Sequence, residues 1–242
     1  MWQILADVSL IVPAHNEEKS LASLIREAQC CYDRFRINGE IVIIDDGSTD
    51  QTPIIAAQLC QEEPRVKFVK LEGKRGKTDA LMSGFHLASG TVLVISDADL
   101  QYDLAELPLL CAPIVSGEYD LVNGYRIKRQ DNLLRRVPSF VYNSFNRYVF
   151  HVSIRDANSG FKAMKSEVFQ SIEPFLRKDF HRYLVSMAAW MGYRILEIPI
   201  SHRSRNSGRS KYSSPSRFVT GLFDMFRVRW LLRGLRNSVR KS

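Results

Sequence analysis

Nowhere in the 242 residues do 18 apolar residues run uninterrupted, so no membrane-spanning helix is predicted. The opening MWQILADVSLIV places no basic stretch ahead of its apolar residues, and a secretory leader is not expected. Cysteine is scarce. Cys30, Cys31, Cys60 and Cys111 show no metal-ligand spacing, which predicts reduced, structural thiols in a cytosolic setting. No GxGxxG follows the first apolar run, which argues against a dinucleotide cofactor. Gly76-Lys77-Thr78 lacks the earlier glycine of a phosphate-binding loop, because Leu71 stands at that position. Lys77 is still placed to open a helix beside an anionic ligand. Internal repeats and low-complexity tracts are absent.

Positive charge is present but unevenly placed. The formal net charge is +8, and residues 201–242 hold nine Arg, two Lys and one acid, Asp224. The rest of the chain is slightly acidic. Such a tail seeks phosphate, of nucleic acid or of a lipid surface. It carries no recognised nucleic-acid motif, so no nucleic-acid partner is expected. Phe218, Val219, Leu222, Phe223, Phe226, Trp230, Leu231 and Leu235 recur at near-helical spacing, with Arg217, Arg227, Arg229, Arg233 and Arg236 between them. That pattern predicts a basic amphipathic helix, for an anionic membrane surface or for packing on its own domain or a partner.

Short apolar runs alternate with helical patterns. Val8–Val12, Ile41–Ile44, Val66–Leu71 and Thr91–Ser96 predict strands. Helices are predicted from Leu21, from Thr52-Pro53 and over Lys77–Ala88. Continuous apolar strands between helices predict an α/β fold, a mostly parallel central sheet with helices on both faces. Further on, the pattern predicts a helix within Leu104–Val115, a strand Leu121–Arg126, a polar turn Arg155–Phe161, a helix Phe180–Gly192 and a strand Arg194–Ile200. The division expected is a domain over 1–212 and an amphipathic tail over 213–242. Ligands of parallel sheets gather beyond the carboxyl ends of the strands. Pro13–Glu17, Asp45–Asp50 and Asp97–Gln101 all lie there.

The last of these clusters ends a buried strand in Asp97-Ala98-Asp99. Two carboxylates two residues apart repel each other unless a cation sits between them, and a hard divalent ion is the natural guest. Gln101 continues the series with a neutral carbonyl oxygen. Read alone, the pair could as well cap a turn with solvated charges.

Several stretches in a fixed order carry a resemblance: IVPAHNEE (11–18), IIDDGSTDQT (43–52), GKRGKTDALMSGF (73–85), SDADLQYD (96–103), NGYR (123–126), RDANSGFKA (155–163) and EIPISHRSRNSGRSKY (197–212). The chain resembles family 2 glycosyltransferases of the GT-A fold, and within them polyprenyl-phosphate sugar synthases such as dolichol-phosphate mannose synthase. The resemblance implies that Pro13, His15, Glu17, Ile44 and Asp46 hold the base and ribose of a nucleotide-sugar. The family usually has a Tyr or similar residue where His15 stands. Asp97 and Asp99, with Ala98 between them and Gln101 after them, match the metal-binding DxD and its accompanying glutamine. Arg126 matches an arginine facing the phosphates. Arg135 and Ser139 match a pair that meets the acceptor phosphate. Arg205 and Lys211 match a segment that folds over the donor diphosphate.

The resemblance thus implies inverting transfer of one hexose, from GDP-mannose or a UDP-hexose, to polyprenyl phosphate with Mg²⁺ or Mn²⁺ as cofactor. A phosphate nucleophile needs no general base. Asp156 is the candidate base if the acceptor is a hydroxyl of a glycan, lipid or protein. A binding protein with a basic tail and no activity is the remaining alternative. Many relatives of the bacterial polyprenyl-phosphate branch continue from here into transmembrane helices. For this sequence the expectation is a peripheral position on the cytoplasmic face, on the lipid itself or on a separate membrane subunit.

Overall fold

A computed structural model describes residues 6–127, 144, 146–150, 152, 154–204, 221 and 223–233. Seven strands form one sheet: β1 (Asp7–Ala14), β2 (Asn38–Asp45), β3 (Val66–Lys70), β4 (Val92–Ile95), β5 (Leu121–Arg126), β6 (Lys162–Lys165) and β7 (Ile195–Ile200). Their order is β3-β2-β1-β4-β6-β5-β7. Among the described strands only β6 runs against its neighbours β4 and β5; the other pairings are parallel.

The period-two geometry of a strand sends alternate residues to opposite faces, and here both faces are apolar. Leu10, Ile43 and Val94 enter one core, while Ile11, Val42, Ile44 and Leu93 enter the other. Each is buried, which contributes about 1.5–3 kcal/mol per side chain. The first face is covered by α1 (Leu21–Phe35), α2 (Thr52–Glu62) and α4 (Leu107–Val115). The second is covered by α3 (Lys77–Leu87), α5 (Ser166–Ile172) and α6 (Leu184–Trp190). α3 reaches the sheet closely because Gly84 has no Cβ; one would stand 2.6 Å from Ile11 and Ile44 side-chain carbons.

Two elements differ from the pattern-based expectation. β6 and α5 follow the predicted turn without having been predicted. Two lysines in four residues hid the strand, yet each finds an oxygen: Lys162 Nζ donates to the Ala157 carbonyl (3.3 Å) and Lys165 Nζ to Asp120 (2.8 Å). The helix predicted over 180–192 divides into a 3-10 turn, Phe180–Tyr183, and α6. Asp179 precedes the turn in a left-handed conformation (φ 66°).

Part of the predicted tail is described. Residues 223–233 are helical and carry two apolar faces rather than one. Met225, Val228 and Leu232 are buried in the second core. Phe223, Phe226 and Trp230 lie on the opposite side and are exposed by 68, 56 and 75%. Arg229 stacks on the Trp190 ring at 3.5 Å. The other predicted tail residues, Arg217, Phe218, Val219, Leu222, Leu235 and Arg236, lie outside the described residues.

The half of the sheet beyond β4 is tied by one carboxylate. Asp120, just before β5, accepts hydrogen bonds from Lys165 Nζ at the end of β6 (2.8 Å). It also accepts from Arg194 just before β7, through Nη2 (2.8 Å), Nε (3.0 Å) and the backbone amide (2.9 Å). The Arg194 hydrogen bonds, aided by Lys165, hold its carboxyl well below the usual carboxylate range. A depressed carboxyl stabilises the fold above its unfolded pKa of about 4 and ceases to do so as pH falls through its folded value. Asp120→Asn is therefore expected to lower the melting temperature at pH 7, with the gap to wild type closing as the buffer is taken below about pH 4. Thermal melts across that range check it; a gap independent of pH would remove the electrostatic explanation.

Candidate active site

The carboxyl ends of β1, β2, β4 and β5 open on the same edge of the sheet. The loops after β1 and β2 are stitched together by short polar side chains. The Asn16 amide donates to Ser48 Oγ (2.8 Å), the Thr49 amide to Asn16 Oδ1 (2.8 Å) and the Glu17 amide to Thr52 Oγ1 (2.8 Å). Asn16 takes a left-handed φ of 57° to do so, a conformation asparagine tolerates better than most residues. Glu17 also accepts from Ser20 Oγ (2.9 Å). Pro13 is half-buried in β1, and His15 Nε2 lies 3.1 Å from Lys74 Nζ.

Two of the expected nucleotide contacts have structural duties. Asp46 Oδ1 accepts from the Arg75 amide (2.7 Å) and the Gly76 amide (2.9 Å), anchoring the loop that leads into α3. Gly47 (φ 67°) packs so tightly on that loop that a Cβ would stand 2.5 Å from the Gly73 carbonyl carbon. The Ile44 side chain is fully buried against Gly84. Any contact it makes with a ligand falls to its backbone.

Asp97 follows β4 and forms the centre of the site. Its Oδ1 is ion-paired with Lys77 Nζ, from the first residue of α3. Its Oδ2 faces Gly160, where a Cβ would stand only 2.2 Å away. Burial pushes the Asp97 carboxyl up, but Lys77, with Arg126 and Lys162 behind it, outweighs burial and holds it below the usual range. Ala98 is buried. Asp99 is buried as well, and its Oδ1 accepts from the Gln101 amide (3.2 Å). The turn passes through Leu100 at φ 59°, a costly conformation for a bulky residue that persists only where the surroundings over-determine it. Gln101 pairs with the 201–204 segment: its carbonyl accepts from the Arg203 amide (2.8 Å), and its side-chain amide donates to the Arg203 carbonyl (3.4 Å).

Arg126, the last residue of β5, is clamped by Asp156. Nε donates to Oδ2 (2.7 Å) and Nη2 to Oδ1 (3.0 Å), with Asp156 buried. A carboxylate engaged at both oxygens by a guanidinium is a poor proton acceptor. The structure gives Asp156 a different task from the general base expected for a hydroxyl acceptor: it orients Arg126. Arg135, Ser139, Arg205 and Lys211 lie outside the described residues. Ser204, the last described residue before Arg205, is one residue beyond the Gln101–Arg203 pairing.

Three residues of this site were not recognised in the sequence. Lys162 is buried in β6, and burial together with the charge of Lys77 pulls its ammonium down to about 8. Glu197 in β7 accepts from Asn123 Nδ2 (2.9 Å) and from the Arg155 amide (2.7 Å), fixing the turn that carries Asp156. His181 meets Thr78 Oγ1 at 2.9 Å; burial first, then Lys77, Arg182 and Lys162, hold its imidazole well below its ordinary pKa. The available signal was charge inside a short apolar strand, Lys162 between Phe161 and Ala163-Met164 and Glu197 within ILEIPI, since a buried charge requires a partner.

The family model described as glycosyl transferase family 2 matches residues 9–173. The chain belongs to glycosyl transferase family 2. It is 29% identical over 231 residues to the dodecaprenyl-phosphate galacturonate synthase of Rhizobium johnstonii, covering 94% of this chain and 68% of that protein. It is 33% identical over 223 residues to an undecaprenyl-phosphate 4-deoxy-4-formamido-L-arabinose transferase of Pseudomonas fluorescens, covering 90 and 63%. The chain thus spans about two thirds of the length of these relatives. The structure of Mycobacterium tuberculosis glucosyl-3-phosphoglycerate synthase with Mn²⁺, UDP-glucose and phosphoglyceric acid superposes with a TM-score of 0.72 at 22% identity. That match covers 93% of this chain and 84% of the other. At that identity the likeness shows the fold, and the fold is GT-A.

In this glycosyltransferase the end of β4 fits a divalent ion. The donors are two carboxylates and an amide, all oxygen ligands of the kind Mg²⁺ and Mn²⁺ take. Asp97 already binds a cation, the Lys77 ammonium. Among the described residues there is no group of three His, Cys, Asp or Glu suited to a metal. An ion here would therefore rest on Asp97 and Asp99, with Gln101 or substrate oxygens completing its shell.

Gly160 keeps that position open. Gly160→Ala would force the Asp97 carboxylate to move, and a shift of about 1 Å at such a site costs about 100-fold in turnover. Sugar transfer is expected to fall by about that factor with little change in melting temperature. Retention of full activity would show that the position of Asp97 is not critical.

Proposed function

We propose that this glycosyltransferase moves one sugar from a nucleotide-sugar to a polyprenyl monophosphate at a membrane surface, inverting the anomeric centre. The observation that carries the reading is the placing of Arg126, held by Asp156, beside a cation-binding Asp97 on one strand edge. Two anionic reactants must meet there, a donor diphosphate and an acceptor phosphate, and both need positive charge. The named activities of the relatives, transfer to dodecaprenyl and undecaprenyl phosphate, supply the acceptor class.

The acceptor phosphate has a second pKa of about 6 and is already anionic near neutral pH. It needs alignment and relief from repulsion rather than deprotonation, which agrees with the clamped state of Asp156. Arg126 offers that relief, and Arg135 and Ser139 are proposed to share it. Mg²⁺ or Mn²⁺, when bound, neutralises charge developing on the leaving diphosphate. Asp97, Asp99 and Gln101 are proposed to hold it there. Arg205 and Lys211 are proposed to add donors, Arg as a fork and Lys as a point charge. The base and ribose are proposed to lie over Pro13, His15, Glu17, Ile44 and Asp46. The donor sugar proposed is a hexose or hexuronate carried on UDP or GDP.

Purified protein incubated with labelled nucleotide-sugars, Mg²⁺ or Mn²⁺ and short polyprenyl phosphates is expected to yield organic-extractable label. Chelator should abolish it, and Asp99→Ala should lower it by at least about 100-fold, the usual loss on removing a key electrostatic partner. Transfer to a hydroxyl acceptor instead, with none to lipid phosphate, would replace the proposed acceptor. A folded Asp99→Ala protein with unchanged transfer would remove the DxD from the mechanism.

The membrane position is proposed from residues 223–233. Their outward face combines Phe223, Phe226 and Trp230 with exposed Arg227 and Arg233, an arrangement that suits the boundary of an anionic bilayer. No helix among the described residues is long and apolar enough to cross a membrane. Binding to vesicles with anionic lipid, over neutral ones, is expected, and Phe226→Ala with Trp230→Ala should weaken it by at least about tenfold. Equal binding by wild type and variant would move the contact elsewhere, a separate membrane subunit included.

A further inference from the structure

The Lys77 ammonium sits on Asp97 Oδ1, an oxygen of one of the two carboxylates read as metal ligands. We propose that Lys77 is a tethered cation that neutralises Asp97 in the ligand-free enzyme and makes metal binding conditional on the nucleotide diphosphate. The inference rests on the reading of Asp97 and Asp99 as the metal-holding pair.

The geometry leaves Asp97 few options. One carboxylate oxygen faces Gly160, and the other takes the Lys77 ammonium. The two side chains are 33 and 20% exposed, respectively, so neither charge is screened as a surface charge would be. The backbone ahead of Lys77 is fixed, because Asp46 grips the Arg75 and Gly76 amides. The lysine stem is the movable part, with four carbons between its Cα and its charge. Thr78, next in the chain, is held against His181. α3 therefore presents an ammonium on a flexible stem from a rigid base.

A divalent ion arriving alone has to displace that ammonium or share its carboxylate, and either raises the cost of binding. A nucleotide diphosphate changes the balance. It offers the ammonium a new anionic partner at the first turn of α3, where Gly76 provides no side-chain cap. Lys77 can then leave Asp97 without losing its counter-charge, and the metal takes its place. Metal and nucleotide so become positively coupled, each raising the affinity of the other by the same factor. The enzyme would accept its metal with the donor and hold little without it.

Mn²⁺ binding to the full chain, measured by the EPR signal of free Mn²⁺, tests this without any turnover. Wild type, Lys77→Met and Lys77→Arg are titrated with Mn²⁺ alone and with UDP or GDP present. Lys77→Met is expected to bind Mn²⁺ alone more tightly by at least about fivefold, within the range of coupled sites. The nucleotide-induced gain should shrink by the same factor. Lys77→Arg, which keeps the charge, should stay close to wild type in Mn²⁺ alone. Circular dichroism checks that the variants are folded, and Lys77→Gln serves in place of a methionine variant that does not fold. Unchanged affinity for Mn²⁺ alone after removal of the charge would overturn the proposal. Failure of every form to bind Mn²⁺ even with nucleotide would overturn the metal reading of Asp97 and Asp99, and the role of Lys77 with it.

Discussion

Burying both faces of the sheet confines polar chemistry to the ends of its strands. Carboxylates accumulate there, Asp45 as the last residue of β2 and Asp46 after it, Asp97 and Asp99 after β4. Removing a charge from water costs several kcal/mol unless a partner repays it. The rest of the site is organised around that repayment. Lys77 neutralises Asp97, Arg126 neutralises Asp156, and backbone amides satisfy Asp46. The same shortage of solvent that makes these charges costly makes their interaction with an anionic substrate strong.

Precision comes from strain and close approach rather than from size. Asn16 and Leu100 adopt left-handed conformations at the ends of β1 and β4. Gly47 and Gly160 sit where a methyl group would strike the Gly73 backbone and the Asp97 carboxylate. These features cost stability and are held in place by the packed strands beneath them. The clamp at Asp120 does the same for the far half of the sheet. It sets β5 and β7 in register, and with them Arg126 and Glu197.

The segment 223–233 joins the core to the surface. Its Met225, Val228 and Leu232 are part of the packing under the sheet, so the aromatic stripe on its opposite side is fixed relative to the catalytic domain. A face held in this way presents its aromatic and basic side chains in one fixed direction. Arg229 contributes to the fixing through Trp190, and Arg227 and Arg233 are left on the outside.

By itself the sequence determined the parallel β1–β4 core, the sheet edge on which the polar clusters after β1, β2 and β4 gather, and the family. All three are written in contiguous residues, since strand periodicity, a strand-ending DxD and short motifs need no knowledge of distant parts. The tail was legible as helix, but its division into an inner and an outer apolar face was not, because amphipathicity alone does not say which side meets the protein. Only the tertiary structure decided the antiparallel β6, the pairing of Lys77 with Asp97, the clamping of Arg126 by Asp156 and the supporting roles of Lys162, Glu197 and Asp120. These depend on residues far apart in the chain, 20 positions for Lys77 and Asp97, 30 for Arg126 and Asp156, 74 for Asn123 and Glu197. A lone charge in an apolar strand announces that it needs a partner; which partner it finds is set by how the strands are ordered in the sheet.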